Sequence, residues 1–183
     1  MSARVRAIAA VALAWVFSAC AQPAHEPYNP LIDESVRLSG KGRYAEAVKV
    51  AQRALEGAEA AMGPEHPDVA TALNNLAEFQ LMQAASAPGR DEAALQAAAA
   101  MAEPLHKRAL AIREKALGAR HSFTLASAVN LARDYQFQRR YDEAEALYTR
   151  TLGIINEIGP RAPILVDLAR QATSGLRQIA TKR

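Results

Sequence analysis

The chain has 183 residues, with 22 lysines and arginines against 19 aspartates and glutamates, and a formal net charge of +3. It contains 42 alanines but only 9 glycines and 9 prolines. Because alanine favours helices and is depleted in strands, this composition argues against a β-sandwich or barrel and predicts an all-α protein. The single cysteine excludes an intramolecular disulfide and a zinc site built from several thiolates.

The segment 1–20 resembles a bacterial export signal. Two arginines precede an apolar run, 7–17, which is too short to span a bilayer as a helix. Residues 17–20 read Phe-Ser-Ala-Cys and are similar to the lipobox of bacterial lipoproteins. This resemblance implies removal of residues 1–19, a diacylglycerol on the thiol of Cys20, and, because Ala21 follows the cysteine, sorting to the outer membrane.

Ordinary signal-peptidase cleavage after Ala21 is the alternative, since Ala19 and Ala21 also satisfy the rule of small residues around the cut. The product would then be a soluble periplasmic protein. In either case residues 20–30 follow as a spacer with three prolines and no apolar periodicity, which predicts an extended tether.

Loss of the signal removes two arginines and no acidic residue, which brings the basic side chains almost level in number with the 19 acidic ones. The remaining charges alternate in sign and form no basic stripe. The sequence therefore predicts that the chain does not bind nucleic acid.

The chain repeats itself with a period of about 42 residues, a length found among stacked helical repeats. Residues 75–77, Asn-Leu-Ala, recur as residues 130–132, and residues 43–47 recur as residues 140–144. The spacings of both matches agree with this period if a segment of roughly 13 residues is inserted between Met82 and Ala102. Each unit holds two stretches with helical spacing of apolar residues, joined by a short turn.

Three motifs resemble the tetratricopeptide repeat, in the variety found in kinesin light chains. They are Asn-Leu-Ala in the first helix of the unit, Gly-Arg-Tyr-x-Glu-Ala at the turn and Arg-Ala-Leu in the second helix. The resemblance covers residues 31–160 and implies a short right-handed α-solenoid of about three helix pairs. We place these units at residues 31–62, 67–117 and 122–159. A last amphipathic stretch, within residues 161–183, predicts a helix that caps the final apolar face.

The inserted residues 84–100 begin near a Pro-Gly turn signal and continue into an alanine-rich run. We therefore expect the second helix of the middle unit to begin near Asp91 and to be about two turns longer than its counterparts. Pro104 then falls inside this helix. Proline lacks an amide hydrogen and clashes with the preceding turn, so the sequence predicts a kink or break at residues 101–104.

No constellation of catalytic or metal-ligating residues stands out in the sequence. It has no His-x-x-x-His pair, no glycine-rich phosphate loop and no Gly-x-Ser-x-Gly turn. His66 and His121 occupy the same position in successive units, which is more typical of residues at helix starts than of ligands. We expect no catalytic residue, no metal and no cofactor, and keep an enzyme as a remote alternative.

The resemblance implies that the first helices of successive units line a concave groove for a partner peptide or helix. Asn75 and Asn130 are expected either to bind the partner's backbone or to stabilise neighbouring turns. Apolar residues at positions expected to face solvent, Leu81 and Val129 among them, indicate an apolar contact. The full predicted partner-binding set is Thr71, Asn74, Asn75, Glu78, Leu81, Met82, Val129, Asn130, Arg133, Gln136 and Phe137.

These features together predict a non-catalytic protein-binding scaffold of the bacterial cell envelope. It would be an outer-membrane lipoprotein facing the periplasm or, alternatively, a soluble periplasmic adaptor or chaperone. Three units are near the minimum for a stable stack, so completion by homodimerisation stays open.

Overall fold

The computed structural model describes residues 29–89, 91–159 and 162–182. In this part of the chain there are seven helices and no strand: α1 Asn29–Gly40, α2 Tyr44–Met62, α3 Pro67–Ser86, α4 Glu92–Leu117, α5 Ser122–Phe137, α6 Tyr141–Ile158 and α7 Pro163–Ala180. The predicted all-α class is confirmed. The predicted signal peptide and the lipidation site Cys20 lie outside the described residues.

The helices form a linear stack of antiparallel pairs. Each helix packs on its neighbours in the chain, and α1 also contacts α3 as α5 contacts α7. The pairs are therefore α1 with α2, α3 with α4 and α5 with α6, and α7 covers the last pair. None of these seven helices combines the length and the apolar character that a membrane span requires.

Glycines and histidines mark the boundaries between successive pairs. Gly63 and Gly118 each end a helix with φ of 83°, a left-handed conformation that glycine adopts without strain. Shortly after each glycine comes a histidine that caps the next helix. The Nδ1 atoms of His66 and His121 accept hydrogen bonds from the backbone amides of Asp68 and Phe123, each 3.2 Å long. The interpretation of both histidines as helix-start residues is confirmed.

Helix α4 has 26 residues, against 19 in α2 and 18 in α6, so it is longer by about two turns. Asp91 is its N-cap and accepts a hydrogen bond of 2.8 Å from the amide of Ala94. Both observations agree with the prediction. Of the kink or break predicted at residues 101–104, the break is wrong, because α4 continues through Pro104 to Leu117. Packing of α4 against α3 and α5 holds the helix together despite the missing amide.

Helix α1 begins earlier than predicted. It includes Asn29 and Pro30, which the sequence assigned to the tether. Pro30 lies in the first turn, where the amide hydrogen has no partner within the helix and its absence costs little.

Helix α7 covers the end of the stack, as predicted for a capping helix. It buries Leu165, Leu168, Ala172 and Ile179 in the same apolar cluster as Leu125 and Leu131 of α5. Gly175 allows the close approach, because a Cβ atom at this position would overlap the ring of Tyr148 in α6.

Two sets of buried polar contacts join the middle pair to α5. His106 in α4 and Asp134 in α5 are fully buried, and their Nδ1 and Oδ2 atoms share a hydrogen bond of 2.5 Å. Burial raises the pKa of the Asp134 carboxyl, and this hydrogen bond opposes the rise. Arg113 in α4 donates to the hydroxyls of Ser127 in α5 (2.9 Å) and Thr71 in α3 (3.1 Å). Burial lowers the pKa of Arg113 to about 10.

Glu103 holds α4 to the turn between α5 and α6. Its carboxylate accepts hydrogen bonds from Gln138 (2.9 Å) and Arg140 (2.8 Å), and it pairs with Lys107 on its own helix (2.6 Å). Burial alone would raise the pKa of Glu103, but hydrogen bonds from Lys107, Gln138 and Arg140 outweigh it and lower the pKa to about 2.

We predict that Asp134→Ala lowers the free energy of unfolding by roughly 2 to 4 kcal/mol, because it leaves the buried imidazole of His106 without its partner. Combining it with His106→Leu should cost less than the sum of the two single variants, with a coupling of about 0.5 to 3 kcal/mol. Urea unfolding followed by circular dichroism measures both quantities. Asp33→Ala on the exposed surface of α1 is the control. Additive single effects would contradict the pairing.

We also predict that Glu103→Gln removes part of the chain's sensitivity to acid. Because the folded pKa of about 2 lies below the ordinary value of 4.5, the ionised carboxylate stabilises the folded state above pH 4.5, and this stabilisation is lost progressively as the pH falls towards 2. The stability difference between wild type and variant should therefore shrink as the pH is lowered from neutrality into this window. Chemical unfolding across that range tests it, with Glu56→Gln at an exposed position of α2 as the control.

Candidate binding groove

Side chains from α3, α5 and α7 line one continuous surface of the stack, which we call the groove. Helix α5 forms its floor, because residues near the end of α5 contribute to the clefts on either side. The groove contains three connected clefts, and Phe137 at the end of α5 lines all of them. The first helices of the second and third units, α3 and α5, thus face the same surface, whereas α1 contributes no residue to these clefts.

The cleft between α5 and α7 has a volume of about 510 Å³. Its floor is Val129 and Phe137, with the Tyr148 ring beside Gly175. Burial raises the pKa of Tyr148 to about 12, so its hydroxyl stays neutral and donates to Oε1 of Gln136 at 3.1 Å. The other lining residues are Arg133, Arg170, Gln171, Ser174 and Gln178, so this cleft contains two arginines and no carboxylate.

A second cleft, of about 420 Å³, lies where the start of α4 faces the end of α7. Gln136 donates to Oε1 of Gln178 at 2.8 Å, and both side chains line this cleft as well as the first one. Its remaining lining residues are Asp91, Glu92, Leu95, Phe137, Tyr141, Thr181 and Lys182.

Between α3 and α5 lies a third, smaller cleft of about 130 Å³ with an almost wholly apolar lining. An ion pair between Glu78 of α3 and Arg133 of α5 closes one side of it. Both side chains are only partly exposed, at 25% and 31%, so each neutralises the other near the groove floor.

Most of the predicted partner-binding residues lie at this surface. Five of them line the clefts with at least partial exposure: Glu78, Met82, Arg133, Gln136 and Phe137. Thr71, Asn75 and Asn130 are also partly exposed. Asn130, however, donates to Oδ1 of Asn74 at 3.5 Å, a contact between α5 and α3 that neither of its two predicted roles included.

Three of the predicted residues are buried instead of open to solvent. The exposed fractions of Asn74, Leu81 and Val129 are 7%, 5% and 3%. Leu81 packs with alanines of α4, and Val129 shares a cluster with the leucines of α7. The apolar contact predicted for these two residues is therefore made within the chain. Asn74 donates to the hydroxyl of Ser127 at 2.9 Å and to the carbonyl of Ala70 at 3.0 Å.

Helices α4 and α7 also contribute to the groove, which was not predicted from the sequence. Leu95, Arg170, Gln171 and Gln178 line clefts and were not in the predicted set. The repeat contains a usable signal for one of them, because Gln178 lies one repeat period after Gln136 and thus at the equivalent position of the next first helix.

No group of three or more histidine, cysteine, aspartate and glutamate side chains with the spacing of a metal site occurs in residues 29–89, 91–159 and 162–182. Two glutamates that line the groove are engaged with arginines of the same chain. Glu78 pairs with Arg133, and Glu92 forms an ion pair of 2.7 Å with Arg139.

Comparison with known proteins agrees with this architecture. The family model of the tetratricopeptide repeat matches residues 38–98 and 89–157. No curated protein matches the chain.

Among solved structures, a Podosopora anserina protein described as a kinesin light chain with nearly identical TPR-like repeats has 21% identity and a TM-score of 0.65. The match covers 86% of this chain and 72% of that one. A single-residue variant of the same protein has 21% identity and a TM-score of 0.64, over 85% and 72% of the two chains. At this identity the likeness concerns the fold. Since the matched segments of the family model together span more than half of the chain, the protein belongs to the tetratricopeptide repeat family.

Proposed function

We propose that the chain is a non-catalytic scaffold that binds a peptide or helix of a partner protein in the groove, within a bacterial cell envelope. The observation that carries this proposal is the groove itself. Its two larger clefts, of about 510 and 420 Å³, adjoin along the end of α5 and suit an elongated ligand better than a compact one. Membership of a family of protein-interaction repeats supports the same conclusion.

The side chains of the groove are suited to a polypeptide. Amides at Gln136, Gln171 and Gln178 can both donate hydrogen bonds to a backbone and accept them. Phe137 offers an aromatic surface for an apolar side chain.

The envelope part of the proposal rests on the N-terminal sequence. We propose that residues 1–19 direct export and that Cys20 carries the lipid of an outer-membrane lipoprotein facing the periplasm. A soluble periplasmic adaptor or chaperone, cleaved after Ala21, is the second candidate, because Ala19 and Ala21 also suit signal peptidase.

Replacing Asn130 and Arg133 together by alanine should reduce capture of the partner about tenfold or more, since truncating a central arginine of an interface commonly costs over ~1 kcal/mol. Affinity capture from cross-linked envelopes, quantified by mass spectrometry, measures the effect. The matched control is Gln52→Ala with Arg53→Ala, an amide and an arginine on the exposed face of α2. If both double variants fold and retain the same partner, the groove is not the binding surface.

Metabolic labelling with radioactive palmitate should label the wild-type protein, and Cys20→Ser should lose the label because the thiol is the acceptor. Mass analysis of the mature N-terminus gives an independent result. A modified Cys20 supports the lipoprotein, whereas an unlabelled protein that begins at Gln22 supports the soluble periplasmic form.

A further inference from the structure

The first turns of α4 belong to the inserted residues 84–100, and we call them the extension. Hydrogen bonds and an ion pair connect the extension to the α5–α6 turn. Glu92 pairs with Arg139, Gln96 donates to the carbonyl of Gln138 at 3.5 Å, and Gln138 donates to the carbonyl of Ala99 at 3.3 Å. A small cluster of buried residues, Ala77, Leu81, Ala98, Ala99 and Ala102, joins the same part of α4 to α3. The extension is therefore held in place from two sides.

We call the small cleft between α3 and α5 the socket. The extension forms one wall of the socket. Leu95 of α4 provides this wall, and the rest of the apolar lining comes from the ends of α3 and α5. The apolar lining residues are Leu81, Met82, Ala85, Leu95 and Phe137, and Glu78 and Arg133 complete the lining. Leu95 lies within the inserted residues 84–100, so an unextended unit would have no wall at this position.

The size and charge of the socket restrict its occupant. Its volume of about 130 Å³ is close to that of an apolar cavity that holds one benzene molecule, which suits a single aliphatic side chain. The only charged groups at its edge, Glu78 and Arg133, already neutralise each other. A charged side chain would lose its hydration there without gaining a counter-ion.

We infer that the socket takes one uncharged aliphatic side chain, of the size of leucine or methionine, from the partner bound in the groove. The inference rests on the proposed function and specifies the chemistry of the partner. Because the wall at Leu95 lies at one end of the groove, the inserted side chain sets the position of the partner segment along α5.

The test uses short random peptides displayed on phage and selected against the purified protein. Selected peptides should share one leucine, isoleucine or methionine, and changing that residue to alanine in a synthetic peptide should weaken binding roughly tenfold to a hundredfold in calorimetry. Ala85→Leu fills the socket and should cause a similar loss. Ala97→Leu adds the same side chain to the exposed face of the same extension and should cause none.

Leu95→Ala provides a second variant in case Ala85→Leu does not fold, since it widens the socket and should shift selection towards larger side chains. If Ala85→Leu and Leu95→Ala leave peptide binding unchanged while the Asn130 and Arg133 double variant abolishes it, the peptide binds in the groove but not in the socket. That outcome overturns the inference about the socket and leaves the proposed function standing. A shared lysine, glutamate or tryptophan in place of the aliphatic residue also overturns the socket. Failure of the wild-type protein to select any peptide counts against the proposed function as well.

Discussion

Helix α5 packs against α4, α6 and α7, and this crowding determines most of the molecule's architecture. Its apolar side chains belong to a core shared with α6 and α7, while its polar side chains meet α3 and α4. Only a narrow strip of α5 is left partly open, and that strip is the floor of the groove. The same helix therefore supplies side chains both to the core and to the candidate binding surface.

The polar contacts around α5 explain how a stack with so many alanines keeps one register. Alanine side chains are small and alike, so apolar packing alone distinguishes poorly between neighbouring registers of two helices. The His106–Asp134 pair and the hydrogen bonds of Arg113 require particular residues to be opposite each other. Leaving either buried group without its partner costs much more than a small change in apolar contact.

The insertion changes the groove without changing the repeat. Because α3 and α4 are lengthened together, the extra residues form a continuation of the same helix pair, with their own buried alanines. The extension contacts the α5–α6 turn through Glu92 and Gln96. The surface of the repeat is otherwise open, and the extension adds a wall to it at Leu95. This wall is where selectivity for a partner would arise.

The period, the helix pairs, the caps and the extended α4 could all be predicted from the sequence, because helical spacing, glycine turns and capping residues act over a few neighbouring positions. The predicted set also included seven of the residues that line the groove, all of them on α3 and α5. The burial of Leu81 and Val129 depends on tertiary packing, since the alanines of α4 and the leucines of α7 that cover them come from distant parts of the chain. The continuity of α4 through Pro104 has the same origin, because contacts with α3 and α5 outweigh a local preference to break.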